Sequence, residues 1–124
     1  MKVLVCGSRS WRDYERIAYY LSGFPRGTEF IHGDASAGAD ALAKRAAREQ
    51  GYKQTPFPAR WQREDGTFDK GAGFARNLEM LYEQPDLVVA FWDGSSHGTK
   101  HTITEARKRG IPVEVVSPIG DVDV

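Results

Sequence analysis

Only one cysteine, Cys6, stands among the 124 residues. No disulfide can therefore close within the chain, and a cytoplasmic location is the expectation. Neither charge sign is in excess: 17 basic residues face 17 acidic ones. That argues against a nucleic-acid partner bound through bulk electrostatics, while leaving room for a local basic patch. No apolar run approaches the roughly 20 residues of a membrane span, so no membrane partner is expected. Lys2–Cys6, followed at once by Gly7 and Arg9, is too short for the apolar part of a signal peptide. Familiar site motifs are missing as well. The dinucleotide fingerprint needs glycines two and five positions after Gly7, and Arg9 and Arg12 stand there, which argues against ordinary NAD binding. Gly33 and Gly38 have the spacing of a phosphate loop, but Ala39 and Asp40 occupy the places of Lys and Ser/Thr. That excludes the usual ATPase reading. His97, His101 and Glu105 stand at four-residue intervals, yet there is no HExxH and no second cysteine. No metal and no cofactor is expected.

What is present is a rhythm. Leu87–Trp92 is a continuous apolar run rich in β-branched and aromatic residues, which suits a strand buried on both faces. Asp93 and Gly94 end it. Thr99, Ile103 and Ala106 then fall at helical spacing, and Gly110 stops that helix after Arg107, Lys108 and Arg109. Lys2–Cys6 is a first strand, and Tyr14, Ile17, Ala18 and Leu21 mark a helix capped by Asp13. Thr28–His32 is strand two and Ala39–Gln50 helix two, with Leu42, Ala43 and Ala46 facing inward. Tyr52–Phe57 is a weaker strand cut short by Pro56 and Pro58. Ala59–Gly73 has no period; a loop of that length in a small domain is functional or mobile. Helix three is expected to bury Phe74, Leu78, Leu81 and Tyr82 on one face, with Pro85 closing it. Pro112–Val116 is strand five and Ser117–Val124 a tail.

Strands alternating with helices imply right-handed crossovers and a parallel sheet. The fold class is therefore α/β: a single Rossmann-like domain over residues 1–124, its five-stranded sheet doubly wound, mainly parallel and flanked by helices. Ligands in such sheets lie beyond the carboxyl ends of the strands, where the strand order reverses. If strands one and four are neighbours there, Gly7, Ser8 and Arg9 share a crevice with Asp93, Gly94, Ser95, Gly98 and Thr99. The loop carrying Gly33, Asp34, Ala35, Gly38 and Asp40 lies alongside. Small residues at the start of helix four let an anion approach the backbone. Arg9 can pair with a phosphate, or with Asp13 or Glu15 at the surface. Asp34 and Asp40 suit ribose hydroxyls or simple helix capping. Trp61 and Phe68 suit stacking on a base or plugging the core.

Five stretches together carry a resemblance: VCGSRSW at Val5–Trp11, HGDASAGAD at His32–Asp40, FPARW at Phe57–Trp61, GAGFARNLEM at Gly71–Met80 and DGSSHGTKHT at Asp93–Thr102. In this order they resemble the SLOG superfamily, the Rossmann-like group that includes the LOG proteins and the DNA-processing protein DprA. The resemblance is strongest to its YspA/YpsA-like branch of bacteria and phages. It implies a crevice for nucleotides or nucleotide-derived signals and a homo-oligomer, dimeric or larger. Arg76 looks like the arginine of LOG enzymes, which cleave the N-glycosidic bond of nucleoside monophosphates. Arg76-Asn77 and Gly98-Thr99 also match DprA. The LOG carboxylate has no counterpart: Thr102 stands at the matching position, and Glu105 comes about one turn later.

The expected ligand contacts are accordingly those named for the three loops, with Trp61, Arg76 and Asn77. The expected function is binding of a small nucleotide-derived ligand, as sensor or sink, with no catalytic residue assigned. The alternatives are a LOG-like phosphoribohydrolase, with Asp34, Asp40 or Glu105 as a displaced acid, and a DprA-like single-stranded DNA module.

Overall fold

Alternation along the first strand sets the layering. Val3 and Val5 pack with one apolar cluster and Leu4 and Cys6 with another, on opposite faces of the sheet. A strand apolar on both faces needs cover on both. In this computed structural model, which describes residues 1–118, four helices supply it. The elements run β1 Lys2–Gly7, α1 Tyr14–Ser22, β2 Glu29–His32, α2 Gly38–Glu49, β3 Lys53–Pro56, α3 Ala72–Tyr82, β4 Leu87–Phe91, α4 His97–Lys108 and β5 Val113–Val116. The expected tail lies, from residue 119 onward, outside the described residues.

All five strands are parallel, in the order β3-β2-β1-β4-β5. The doubly wound Rossmann-like sheet read from the sequence is the one observed. Ile17 and Leu21 of α1 join Ala39, Ala43, Ala46 and Ala47 of α2 over Val3, Val5, Val89 and Phe91. Full burial of Ile17 or Leu21 is worth about 1.5–3 kcal/mol each. On the other face, Met80 and Leu81 of α3 and Ile103 and Ala106 of α4 cover Leu4, Cys6, Val88 and Ala90. Asp13 caps α1 through the Arg16 amide at 3.1 Å. Gly51 and Gly110 follow α2 and α4 with positive φ. β3 is an edge strand, which is why Pro56 is tolerated at its end.

Helix α3 corrects the expectation drawn for it. Its buried side chains are Ala72, Asn77, Met80 and Leu81, whereas Phe74 and Tyr82 are 50% and 81% exposed. Apolar residues occupy too wide an arc of this helix for spacing to choose the inward face. The choice rests on Asn77, whose amide Nδ2 donates to the Gly98 carbonyl of α4 at 3.2 Å and is 3.3 Å from His101 Nδ1. These partners offset the cost of burying the amide.

No helix among the described residues is long and apolar enough to cross a membrane.

Candidate functional site

β1 and β4 are neighbours, and the strand order reverses between them. A crevice of about 550 Å³ opens beyond their carboxyl ends. The two loops at its base are tied together. The Ser8 amide donates to the Phe91 carbonyl at 2.9 Å, the Asp93 amide to Ser8 Oγ at 3.0 Å, and Ser10 Oγ to Asp93 Oδ2 at 3.1 Å. The Ala39 amide at the start of α2 donates to the Ser8 carbonyl at 3.1 Å. Gly7 permits that approach, since a Cβ there would sit 2.5 Å from the Ala39 Cβ and 2.4 Å from the Phe91 carbonyl oxygen.

Arg76 spans the crevice wall from the second turn of α3. Its Nη1 donates to the Gly33 carbonyl at 2.6 Å and to the Phe57 carbonyl at 3.4 Å, and its Nε to Asn77 Oδ1 at 3.1 Å. Nη2 has no protein partner among the described residues. A Cβ on Gly33 would lie 2.4 Å from Arg76 Nη1 and 2.8 Å from Asp40 Oδ2, so the glycine lets cation and carboxylate close over the loop. Burial raises the Asp40 pKa, and the nearby Arg76 charge opposes that rise. Burial also lowers the Arg76 pKa, without costing the guanidinium its proton near neutrality. Asp34 has a positive φ of 54°. Its amide is held by His32 Nδ1 at 3.1 Å, which leaves the proton on Nε2 to donate to Gln54 Oε1 at 2.9 Å. Asp34 is paired with Lys44 at 2.9 Å. Arg9 pairs with neither Asp13 nor Glu15 and stands exposed in the wall.

The loop after β4 differs from the phosphate cradle the sequence suggests. Asp93 Oδ1 itself accepts from the Ser95 amide at 2.8 Å and the Ser96 amide at 3.0 Å. Those two donors are spent within the loop, and Gly94 and Ser95 lie off the crevice wall. These amides, with the Ser8 and Ser10 hydroxyls, hold the Asp93 pKa well below the ordinary carboxylate value. A depressed folded pKa makes a stabilising contribution that is present above the unfolded value of about 4 and is lost as pH falls through the folded value. Asp93→Ala is therefore expected to cost more stability at pH 7 than at pH 3. Urea melts giving the same penalty at both pH values would refute this account.

Of the residues expected from sequence, Gly7, Arg9, Gly33, Asp34, Ala35, Asp40, Trp61, Arg76, Asn77, Gly98 and Thr99 line this one crevice. Ser8, Gly38, Asp93, Gly94 and Ser95 do not. Ser8 is buried as a tie between loops, and a Cβ on Gly38 would strike the Arg9 backbone at 2.4 Å. Trp61 does not plug the core. It stacks on Phe68 at 5.7 Å in a short hairpin flap, bridged at Gln62 and Phe68. Asp65 closes the flap's turn by accepting from the Thr67 amide at 3.0 Å. Glu105 binds Lys108 and Arg109 and is not in the wall. His97, His101 and Glu105 do not converge.

Ser36, Lys70 and Phe74 are also in the wall, though the sequence pointed to none of them as a ligand contact, and so is Thr102, at the position of the missing LOG carboxylate. Lys70 had one readable signal, a cation directly before the glycine-rich lead-in to Arg76. Phe74 had none, because its place depends on how α3 rotates.

Residues 1–63 match the model of the family described as "YAcAr: YspA, cpYpsA-related SLOG family". The chain is also similar to the Gene 61 protein of Mycobacterium phage D29, with 40% identity over 121 residues, covering 90% of this chain and 93% of the phage protein.

Proposed function

We infer, since the chain belongs to the YspA, cpYpsA-related SLOG family, that its crevice binds a nucleotide or nucleotide-derived signalling molecule, as sensor or sink. One observation carries the reading: the wall presents three cations, Arg9, Lys70 and Arg76, that form no salt bridge among the described residues. Arg9 and Lys70 form no hydrogen bond or ion pair among the described residues, and Arg76 keeps Nη2 free. Phosphate oxygens suit such groups. Gly98, in the first turn of α4 and in the wall, adds a backbone donor. Asp34 and Asp40 supply acceptors for ribose hydroxyls, and the Trp61 flap stands beside the space for a base. The volume is within the range of about 300–1,000 Å³ usual for small-ligand sites. The reading also takes the protein to be a cytoplasmic homo-oligomer, as the resemblance implies.

A second reading, N-glycosidic hydrolysis of a nucleoside monophosphate, is favoured by Asp40 alone. Its carboxyl is in the wall, 9% exposed, with a pKa raised by burial, which suits a proton-transferring group. Asp34 is engaged by Lys44, and Glu105 faces elsewhere. Calorimetric titration with AMP, GMP, CMP and UMP, followed by chromatography for free base, separates the two readings. Saturable binding with the nucleotide recovered intact is the expected result. No binding of any of the four at millimolar concentration would overturn the first reading. Release of base that vanishes in Asp40→Asn would establish the second.

A further inference from the structure

We propose that Phe74 is the platform on which the ligand's base stacks, an inference that rests on the nucleotide reading above. Phe74 lies in the first turn of α3 with its ring half exposed. One face is already covered. His101 of α4 stacks on it at 4.2 Å with the planes 13° apart. Phe74 lines the crevice and His101 does not, so the histidine backs the ring from outside and the uncovered part of Phe74 belongs to the wall.

His101 is itself held. Its Nδ1 is 3.3 Å from the Asn77 amide Nδ2, whose Oδ1 is engaged by Arg76 Nε. Asn77 Nδ2 is thus the donor, and His101 carries its proton on Nε2. Burial lowers the His101 pKa, so the ring backing Phe74 is neutral near pH 7. This chain of contacts ties the two stacked rings to Asn77 and Arg76. The same asparagine orients the guanidinium that is to hold phosphate, which sets base and phosphate subsites at a defined separation.

Trp61 repeats the arrangement. It lines the crevice and is stacked on Phe68, which does not. Its ring edge reaches Gly73, the neighbour of Phe74, where a Cβ would meet Trp61 Cη2 at 3.0 Å. Two aromatic side chains, each backed by a second ring, thus stand at one corner of the crevice. A planar heteroaromatic base is the ligand part that gains most from such a corner, because stacking needs a flat partner and tolerates any base.

Titration of AMP and of ribose 5-phosphate into the wild type, Phe74→Leu and Phe74→Trp tests this, with GMP, CMP and UMP as further probes. Leucine keeps apolar contact with His101 but offers no aromatic face. Wild type is expected to hold AMP about tenfold or more tighter than ribose 5-phosphate. Phe74→Leu should erase most of that margin while leaving ribose 5-phosphate affinity unchanged, and Phe74→Trp should keep it. A folded Phe74→Leu variant that retains the full margin overturns the platform and leaves the crevice reading standing. Equal wild-type affinity for AMP and ribose 5-phosphate also overturns it. Failure of the wild type to bind any of these compounds overturns the crevice reading and the platform with it.

Discussion

Replacing Arg76 by alanine is expected to weaken binding of phosphate-bearing ligands roughly ten- to hundredfold, the worth of one charge-assisted hydrogen bond of about 1.5–3 kcal/mol. The geometry adds a second consequence. Arg76 Nη1 satisfies the Gly33 carbonyl at 2.6 Å and approaches that of Phe57 at 3.4 Å, so its loss strands acceptors of two loops. A stability loss of about 1–2 kcal/mol should accompany the loss of affinity. Asp40 also loses the charge that opposes its raised pKa and becomes a stronger proton holder. Arg76→Lys keeps a positive charge but not the planar fork, and should recover only part of the affinity. Gly33→Ala reaches the same group from the other side. Its Cβ would meet the movable end of Arg76 at 2.4 Å, so the guanidinium should be displaced at modest cost to the fold. Calorimetry and thermal melts on the three variants test the account. Unchanged affinity in folded Arg76→Ala would remove Arg76 from the binding site.

Gly7→Ala should be strongly destabilising, costing about 3 kcal/mol or more. The atoms it would strike cannot swing away. They are the Phe91 carbonyl oxygen at 2.4 Å and the Ala39 Cβ at 2.5 Å, one at the end of the interior strand β4 and one in the first turn of α2. To fit, α2 must move off the end of β1, breaking the Ala39–Ser8 hydrogen bond and shifting Asp40 with it. The variant is expected to melt well below the wild type and, where still folded, to bind nucleotides weakly. A denaturant midpoint within experimental error of wild type would show that α2 is not packed as tightly as described here.

Element order, helix stops and the doubly wound sheet were legible in the sequence for a common reason. Each depends on neighbours close along the chain: apolar runs of strand length, residues at helical spacing, Gly51 and Gly110 just past the last turn. The place of the crevice followed as well, because alternating strands and helices leave few positions where strand order reverses, and β1 beside β4 was one of them. What depended on distant partners was not legible. The inward face of α3 was settled by Asn77 finding a carbonyl and an imidazole on α4, which turned Phe74 and Tyr82 outward against their hydrophobicity. The loop after β4 looked open to phosphate, but the Asp93 carboxylate claims its amides, an outcome decided by backbone dihedrals that composition does not reveal. Asp34 and Asp40 read alike as carboxylates near a helix start, and only the folded chain separates them. Lys44, one turn further along α2, reaches Asp34, while burial, opposed by the Arg76 charge, leaves Asp40 as the carboxyl of raised pKa. Local pattern determined which segments meet at the crevice. Satisfaction of buried polar groups between elements distant in sequence, a property of the assembled fold, determined which side chains face into it.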